Sequence, residues 1–340
     1  MGTVWLRAAL MTAAGTAGPR ICDLQAGQSI EGVFGVAGKR LRSFRDPSKG
    51  QYLELDLRDV TGVIPGRVWD NADEVAAGFD VGDVVRIRAE VTQYREQDQL
   101  VITAVEALAM DKVPPELFIP ASPRSLEDME RELWSRIESV RDPHLSQLLL
   151  DLFGRAEFYK DFIMAPAAKR IHHSYLSGLL EHSLQIVSVL EVSMGADMNR
   201  DLLVAGGLLH DVGKVEEFSW RGAVDYTDRG RLIGHVVMGF CRVREAIRRI
   251  GEFPPNLGLH LEHLILSHHG RQEYGAPVVP QTEEAVALHH ADLYSGKVAQ
   301  VMSVSEGVRD SGGRWSGYDP VLGRFIWVPE DDGTLPRETK

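Results

Sequence analysis

The adjacent residues His210 and Asp211 close the apolar run Gly206-Gly-Leu-Leu, so one short stretch presents an imidazole nitrogen and a carboxylate oxygen side by side. A metal site can be seeded by such a pair, although a lone His-Asp dipeptide arises often by chance. Further donors sit in the same kind of surroundings. His182 ends Gly178-Leu-Leu-Glu-His182, His235 follows Gly234, His268 and His269 end Leu264-Ile-Leu-Ser, and Asp292 ends Leu288-His-His-Ala-Asp292. The order is H, HD, H, HH, D, with each member set in Leu/Ile/Val-rich sequence of helical period. Neutral imidazole suits Mn, Fe, Co or Zn, and carboxylate suits these and harder ions. A mixed His/Asp set therefore points to divalent transition metals rather than to an all-oxygen magnesium site.

Other side chains could assist. Lys214 follows Asp211 by three positions, which on a continuing helix brings its ammonium to the side of the donors as a catalytic phosphate clamp. The plainer alternative is a solvated lysine beyond a helix ended early by Gly213. His172 and His173 precede the first donor helix and are candidates either for contact with substrate phosphate or for support of the donors from behind. His263 and the remaining histidines are read as packing or surface groups, the usual fate of a lone helical histidine. No Ser-His-Asp triad or cysteine nucleophile competes with this set. The glycines of Gly32-Val-Phe-Gly-Val-Ala-Gly38 have the wrong spacing for a phosphate loop and run into Lys39-Arg40.

The elements that must hold these donors fall into two blocks. With 340 residues, 44% of them hydrophobic, the chain can bury two sizeable cores. Residues 1–20 read as an unstructured extension, because a single Arg7 and an apolar stretch diluted by Thr and Gly make a poor signal peptide. Residues 21–110 carry short alternating segments at 29–36, 51–57, 62–69, 84–91 and 99–106, with a short helix capped by Asn71 after the third. Five strands with that helix predict an all-β OB barrel. Residues 111–125 hold four prolines and read as a linker. From 126 to 310 the apolar period is helical, with segments at 126–140, 143–153, 175–193, 202–209, 231–250, 256–268 and 283–304. Asp201 is the expected cap of the fourth, and the whole predicts an all-α bundle. Residues 311–340 read as an aromatic flap and tail.

The net charge of −12 gives no global basic field, so contact with a polyanion must use a local patch or bound metal. One such patch is the stretch 39–49, read as a loop, in which Lys39, Arg40, Arg42, Arg45 and Lys49 face a single acidic residue. Phe44, Tyr52 and Trp69 lie near it in sequence, and basic groups beside aromatic platforms suit single-stranded nucleic acid. A merely solvated loop is the alternative. Only Cys22 and Cys241 occur, which suggests a reducing cytoplasm, and no stretch approaches a membrane span.

An OB module followed by His172-His-Ser-Tyr-Leu-Ser-Gly-Leu-Leu-Glu-His182, Leu208-Leu-His-Asp-Val-Gly-Lys214, Gly234-His235 and Leu264-Ile-Leu-Ser-His-His-Gly270 resembles HD-domain phosphohydrolases. Within them it is similar to the YhaM family of bacterial 3′-to-5′ exoribonucleases, over residues 21–327. The resemblance implies one metal held by His182, His210, Asp211 and Asp292. It implies a second held by Asp211, bridging, with His235, His268 and His269. It further implies manganese- or cobalt-assisted release of nucleoside monophosphates from single-stranded RNA, with some action on DNA, and an OB module that guides the strand. Two metals roughly 4 Å apart can activate water and stabilise both oxygens of an in-line phosphoryl displacement. Cyclic-dinucleotide phosphodiesterases share the donor order but add a Gly-Tyr-Pro signature that Gly270-Arg-Gln-Glu-Tyr-Gly lacks. A nucleic-acid-binding regulator has no need of seven donors in register. Self-association is left open.

Overall fold

A computed structural model describes residues 18–109, 113–169 and 172–330; the expected extension before residue 18 and the end of the tail lie outside them. Strands β1 (Ser29–Ser43), β2 (Gln51–Asp59), β3 (Gly62–Val68), β4 (Val84–Tyr94) and β5 (Gln97–Ala107) close a barrel in the order β1-β2-β3-β5-β4. Strict alternation makes this possible. Leu53, Leu55 and Leu57 of β2 are buried inside, while Tyr52, Glu54 and Asp56 point outward. The β3–β5 pair is parallel and the other ladders are antiparallel, as the OB topology requires. Helix α1 (Ala72–Ala77) follows β3 and adds Ala72 and Ala76 to the barrel core.

The barrel corrects two expectations. β1 does not stop at Val36. It pairs with β4 over its first half, shifts register between Val36 and Gly38, and pairs with β2 as far as Ser43, so Lys39, Arg40 and Arg42 lie on a strand. A strand that changes partner at a bulge also changes which face looks inward, and this broke the period that marks a strand. Asn71 precedes α1 in the left-handed conformation, at φ 52°, and its side chain makes no capping bond.

The second block contains α2 (Leu126–Glu138), α3 (Pro143–Phe153), α4 (Ala156–Met164), α5 (Gly178–Ser193), α6 (Arg200–Leu209) and α7 (Lys214–Glu217). It continues with α8 (Asp228–Leu232), α9 (His235–Arg249), α10 (Pro255–Ser267) and α11 (Glu283–Asp310). α5 lies at its centre, packed on α6 and α11, with Leu179, Leu180, Leu184, Ile186 and Val187 fully buried. Burial of each such side chain contributes about 1.5–3 kcal/mol. The cap of α6 is Asn199, which accepts from Leu202 N. Asp201 instead accepts the backbone N–H groups of Arg141 and Asp142, both at 2.8 Å, and ties α6 to the start of α3. The expected helix at 231–250 is two, divided at Gly234 (φ 79°). A hairpin of β6 (Phe218–Trp220) and β7 (Val224–Tyr226) interrupts what was expected to be all-helical.

The proline-rich segment is packed rather than free. Phe118 and Ile119 are buried with Val33 and Val84 of the barrel and with Leu176, Phe218 and Val224 of the helical block. At this joint the Gly222 N–H donates to Gly82 O at 2.8 Å. A Cβ on Gly222 would lie 2.4 Å from Asp83 O, so the turn of the β6–β7 hairpin reaches the barrel only with glycine there. Beyond α11, bridges Trp315–Trp327 and Asp319–Arg324 fold residues 311–330 into an aromatic flap. Among the described residues no helix is long and apolar enough to cross a membrane.

Candidate metal centre

Five helices deliver the donors. His182 projects from α5, His210 and Asp211 follow the end of α6, His235 opens α9, His268 and His269 follow the end of α10, and Asp292 lies on α11. The turn carrying His210 and Asp211 lies against the start of α9. A Cβ on Gly213 would sit 2.0 Å from His235 O and 2.6 Å from Gly239 N, so only glycine lets the two segments approach this closely.

Asp211 stands at the middle. Its Oδ2 lies 3.4 Å from His182 Nε2 and 3.3 Å from His210 Nε2, while its Oδ1 lies 3.4 Å from His235 Nε2 and 3.6 Å from His268 Nε2. Asp292 Oδ1 is 3.3 Å from His182 Nε2. Two nests result: His182, His210 and Asp292 on one side, and Asp211, His235, His268 and His269 on the other. Within each nest the ligand atoms lie within 4.8 Å of one another. One carboxylate thus faces both nests with separate oxygens.

The outward nitrogens say what the inward ones must be. Nδ1 of His210 donates to Gly207 O at 2.9 Å, that of His268 to Ile265 O at 2.7 Å, and that of His269 to Tyr274 O at 2.6 Å. His235 Nδ1 donates to Glu217 Oε1 at 2.9 Å, and His182 Nδ1 faces Ser295 Oγ at 3.5 Å. With the proton on Nδ1, each ring turns a bare Nε2 lone pair into the centre. Those lone pairs oppose one another at 3.2 Å in both His182–His210 and His235–His269. Moreover, Asp211 Oδ1 and His268 Nε2 are buried without a hydrogen-bond partner. Facing lone pairs and orphaned acceptors are unfavourable without a cation, so the residues present fit a divalent metal in each nest.

The electrostatics agree. Burial works against a charged Asp211, yet the Lys214 ammonium at 2.6 Å and the neighbouring imidazoles hold its carboxyl well below the usual range. Desolvation acts upward on half-buried Asp292 too, but hydrogen bonding to His182 outweighs it and lowers the group. Burial pushes the imidazole of His269 down to about 4, with help from His268, and lowers His268 itself. Both are therefore neutral ligands near neutral pH. For His182 burial acts downward, but Asp211 and Asp292 outweigh it and raise the group.

The other expected residues separate. Helix α6 does end before Lys214, yet Lys214 opens α7 and still reaches Asp211. His172 contacts Ser295 Oγ at 2.6 Å and its ring packs edge-on against His182, so it backs a ligand. His173 is held by Tyr175 Oη at 2.5 Å and Gln185 Oε1 at 3.2 Å. His263 accepts from Gln281 N, away from the donors, and His289 Nδ1 braces His268 O at 2.8 Å. On the barrel, Phe44, Tyr52 and Trp69 form one cluster with ring centroids 5.0–5.9 Å apart. Arg40 and Arg42 stand on the same outer surface, paired with Asp56 and Glu54, and Arg45 is exposed. Lys39 departs from its expected role. Its ammonium donates to Ala76 O, Phe79 O and Asp80 Oδ1, which occupies all three protons at the end of α1.

Sequence reasoning missed Glu217, Ser295 and Gln185, which orient ligands, and Arg67, whose guanidinium lies 5.7 Å from Trp69 and 5.6 Å from Tyr94. A carboxylate six residues after Asp211 carried no spacing signal. Arg67 alternates with core residues on β3 and could have been placed on the outer face by period alone.

Residues 179–297 match the HD domain family, and residues 37–108 match a family described as an OB-fold nucleic acid binding domain. Three curated relatives carry the name 3′-5′ exoribonuclease YhaM. That of Geobacillus sp. (strain WCH70) is 32% identical over 76% of this chain and 80% of its own. That of Shouchella clausii (strain KSM-K16) is 33% identical over 80% and 85%. That of Listeria monocytogenes serotype 4b (strain CLIP80459) is 32% identical over 81% and 87%. Likeness of this extent runs through barrel and helical block alike, and the chain belongs to the YhaM family of 3′-5′ exoribonucleases.

Proposed function

We propose that this protein is a manganese-dependent exoribonuclease that removes nucleoside monophosphates from the 3′ end of single-stranded RNA, with lesser action on single-stranded DNA. The observation that carries the reading is Asp211, a buried carboxylate whose two oxygens face two separate nests of imidazole nitrogens. His182, His210, Asp211 and Asp292 would hold one ion, and Asp211, His235, His268 and His269 the other. A bound pair of such ions supplies a hydroxide-like nucleophile at neutral pH and charge stabilisation at phosphorus. Imidazole-rich coordination favours manganese, cobalt, iron or zinc over magnesium.

The protein's own groups set the geometry. Glu217 fixes His235, Ser295 fixes His182, and backbone carbonyls fix His210, His268 and His269, so the ligands are aligned before an ion arrives. Lys214 adds a half-buried positive charge beside Asp211, where negative charge grows on a phosphoryl group under attack. On the barrel, Tyr52, Trp69 and Phe44 offer stacking surfaces, while Arg67, Arg42, Arg40 and Arg45 serve phosphates. The free thiols of Cys22 and Cys241 are in keeping with a cytoplasmic setting.

The test incubates manganese-loaded protein with end-labelled RNA, DNA of the same sequence and a cyclic dinucleotide in parallel. Stepwise shortening of RNA from its 3′ end is expected, abolished in Asp211→Ala with strand binding retained. Turnover of the cyclic dinucleotide alone would overturn the reading.

A further inference from the structure

Behind His182, away from the second nest, lies a cleft of about 570 Å³ between α11, α5 and the segment that precedes α2. That volume falls within the roughly 300–1,000 Å³ typical of small-molecule sites. The cleft adjoins the metal centre, since two of its lining residues, His172 and Ser295, are the ones that touch the ligand His182. Its apolar lining comes from Pro123 and, on α11, from Val298, Ala299 and Met302. Its polar lining includes Gln185, whose Oε1 is taken by Ser295 and His173 while its amide Nε2 makes no hydrogen bond among the described residues. Apolar lining together with an unspent amide donor suits a nucleobase and a sugar hydroxyl.

The charge of the cleft narrows the choice. Glu181 lines it, fixed by Ser122 Oγ at 2.6 Å and Tyr175 Oη at 2.8 Å, and Glu306 stands exposed at its rim. The guanidinium that lines it, Arg124, is engaged by Glu132 at 2.7 Å. Two carboxylates and one already paired cation make poor company for a second phosphate.

We propose that this cleft seats the 3′-terminal nucleoside of the strand, and that its acidic rim selects ends bearing a free 3′-hydroxyl over ends bearing a 3′-phosphate. The inference rests on the exoribonuclease reading and adds the seat and the end chemistry. The terminal 5′-phosphate lies over the nests, the sugar passes His172, and the base packs on Val298, Ala299 and Met302.

The experiment uses the manganese-loaded full chain with three substrates: 5′-labelled RNA ending in 3′-hydroxyl, the same RNA ending in 3′-phosphate, and bis(p-nitrophenyl) phosphate, which needs no nucleoside seat. The 3′-phosphate end is expected to react at least about tenfold more slowly, or about 1.4 kcal/mol. In Glu306→Lys this ratio should narrow severalfold. In Ala299→Trp, which fills the cleft, RNA shortening should be lost, together with inhibition by adenosine 5′-monophosphate of whatever bis(p-nitrophenyl) phosphate hydrolysis the variant retains. Equal rates on the two RNA ends, or an unaltered ratio in Glu306→Lys, overturn the proposal and leave the exoribonuclease intact. The Glu306→Lys comparison decides it even if Ala299→Trp misfolds. Hydrolysis of the small ester with no action on any RNA would instead overturn the exoribonuclease reading itself.

Discussion

At the scale of single residues the decisive feature is a division of labour within each imidazole: Nδ1 is tied outward and Nε2 is left bare. Glu217 is the one carboxylate that performs the tying, since it takes both the backbone N–H and Nδ1 of His235, at 3.1 and 2.9 Å. Glu217→Gln keeps the shape but replaces a charged acceptor behind His235 with a neutral one that can also present an amide N–H to Nδ1. Metal affinity of the second nest should fall about 10–100-fold, with activity recovered at high manganese. Calorimetric titration of the metal-free protein measures this, and an unchanged affinity would make Glu217 merely structural. Lys214→Ala should leave metal content intact and lower turnover by about 10²-fold, the usual scale for loss of one electrostatic group at the transition state. Equal rates in stopped-flow assays would remove Lys214 from the chemistry. Donor atoms were legible in the sequence because type and order alone identify them. Glu217 was not, because it acts from a four-residue helix with no period to announce it.

At the scale of elements, the site depends on helices meeting at fixed distances. Leu184 is fully buried on the face of α5 that carries the packing of the bundle. Leu184→Ala should cost about 2–5 kcal/mol of stability, read from the urea midpoint at unchanged slope. Gly213→Ala tests a different contact. A methyl group 2.0 Å from His235 O forces the His210-Asp211 turn away from α9, which should separate the two nests and reduce metal content along with stability. A variant that retains two ions per chain would show that the turn can yield. The helices were read from apolar period, and their ends were misread where side chains had other partners. Asp201 has the chemistry of a cap but is drawn to the start of α3, and Asn199 takes the place instead. The β6–β7 hairpin escaped because three-residue strands give no alternation to count.

At the scale of the whole molecule, the barrel and the helical block are joined through Phe118 and Ile119, so deleting the barrel would uncover their shared core and confuse loss of binding with loss of fold. The barrel's role is better tested on its surface. The net charge of −12 leaves little long-range attraction for RNA, so grip must come from the short-range platform of Phe44, Tyr52, Trp69, Arg67 and Tyr94. Trp69 is 37% exposed and its ring lies within reach of an incoming base. Trp69→Ala should therefore weaken binding of a long single strand by about 1–3 kcal/mol, the worth of one stacked base. The same change should leave hydrolysis of a dinucleotide near its original rate, because so short a substrate has no further nucleotides for the barrel to hold. Raising salt from about 50 to about 200 mM should mimic the substitution in kind, lowering affinity for the long strand while sparing the dinucleotide. A parallel loss on both substrates, followed by fluorescence anisotropy and product analysis, would mean that Trp69 acts through the fold of the barrel and not by holding the strand.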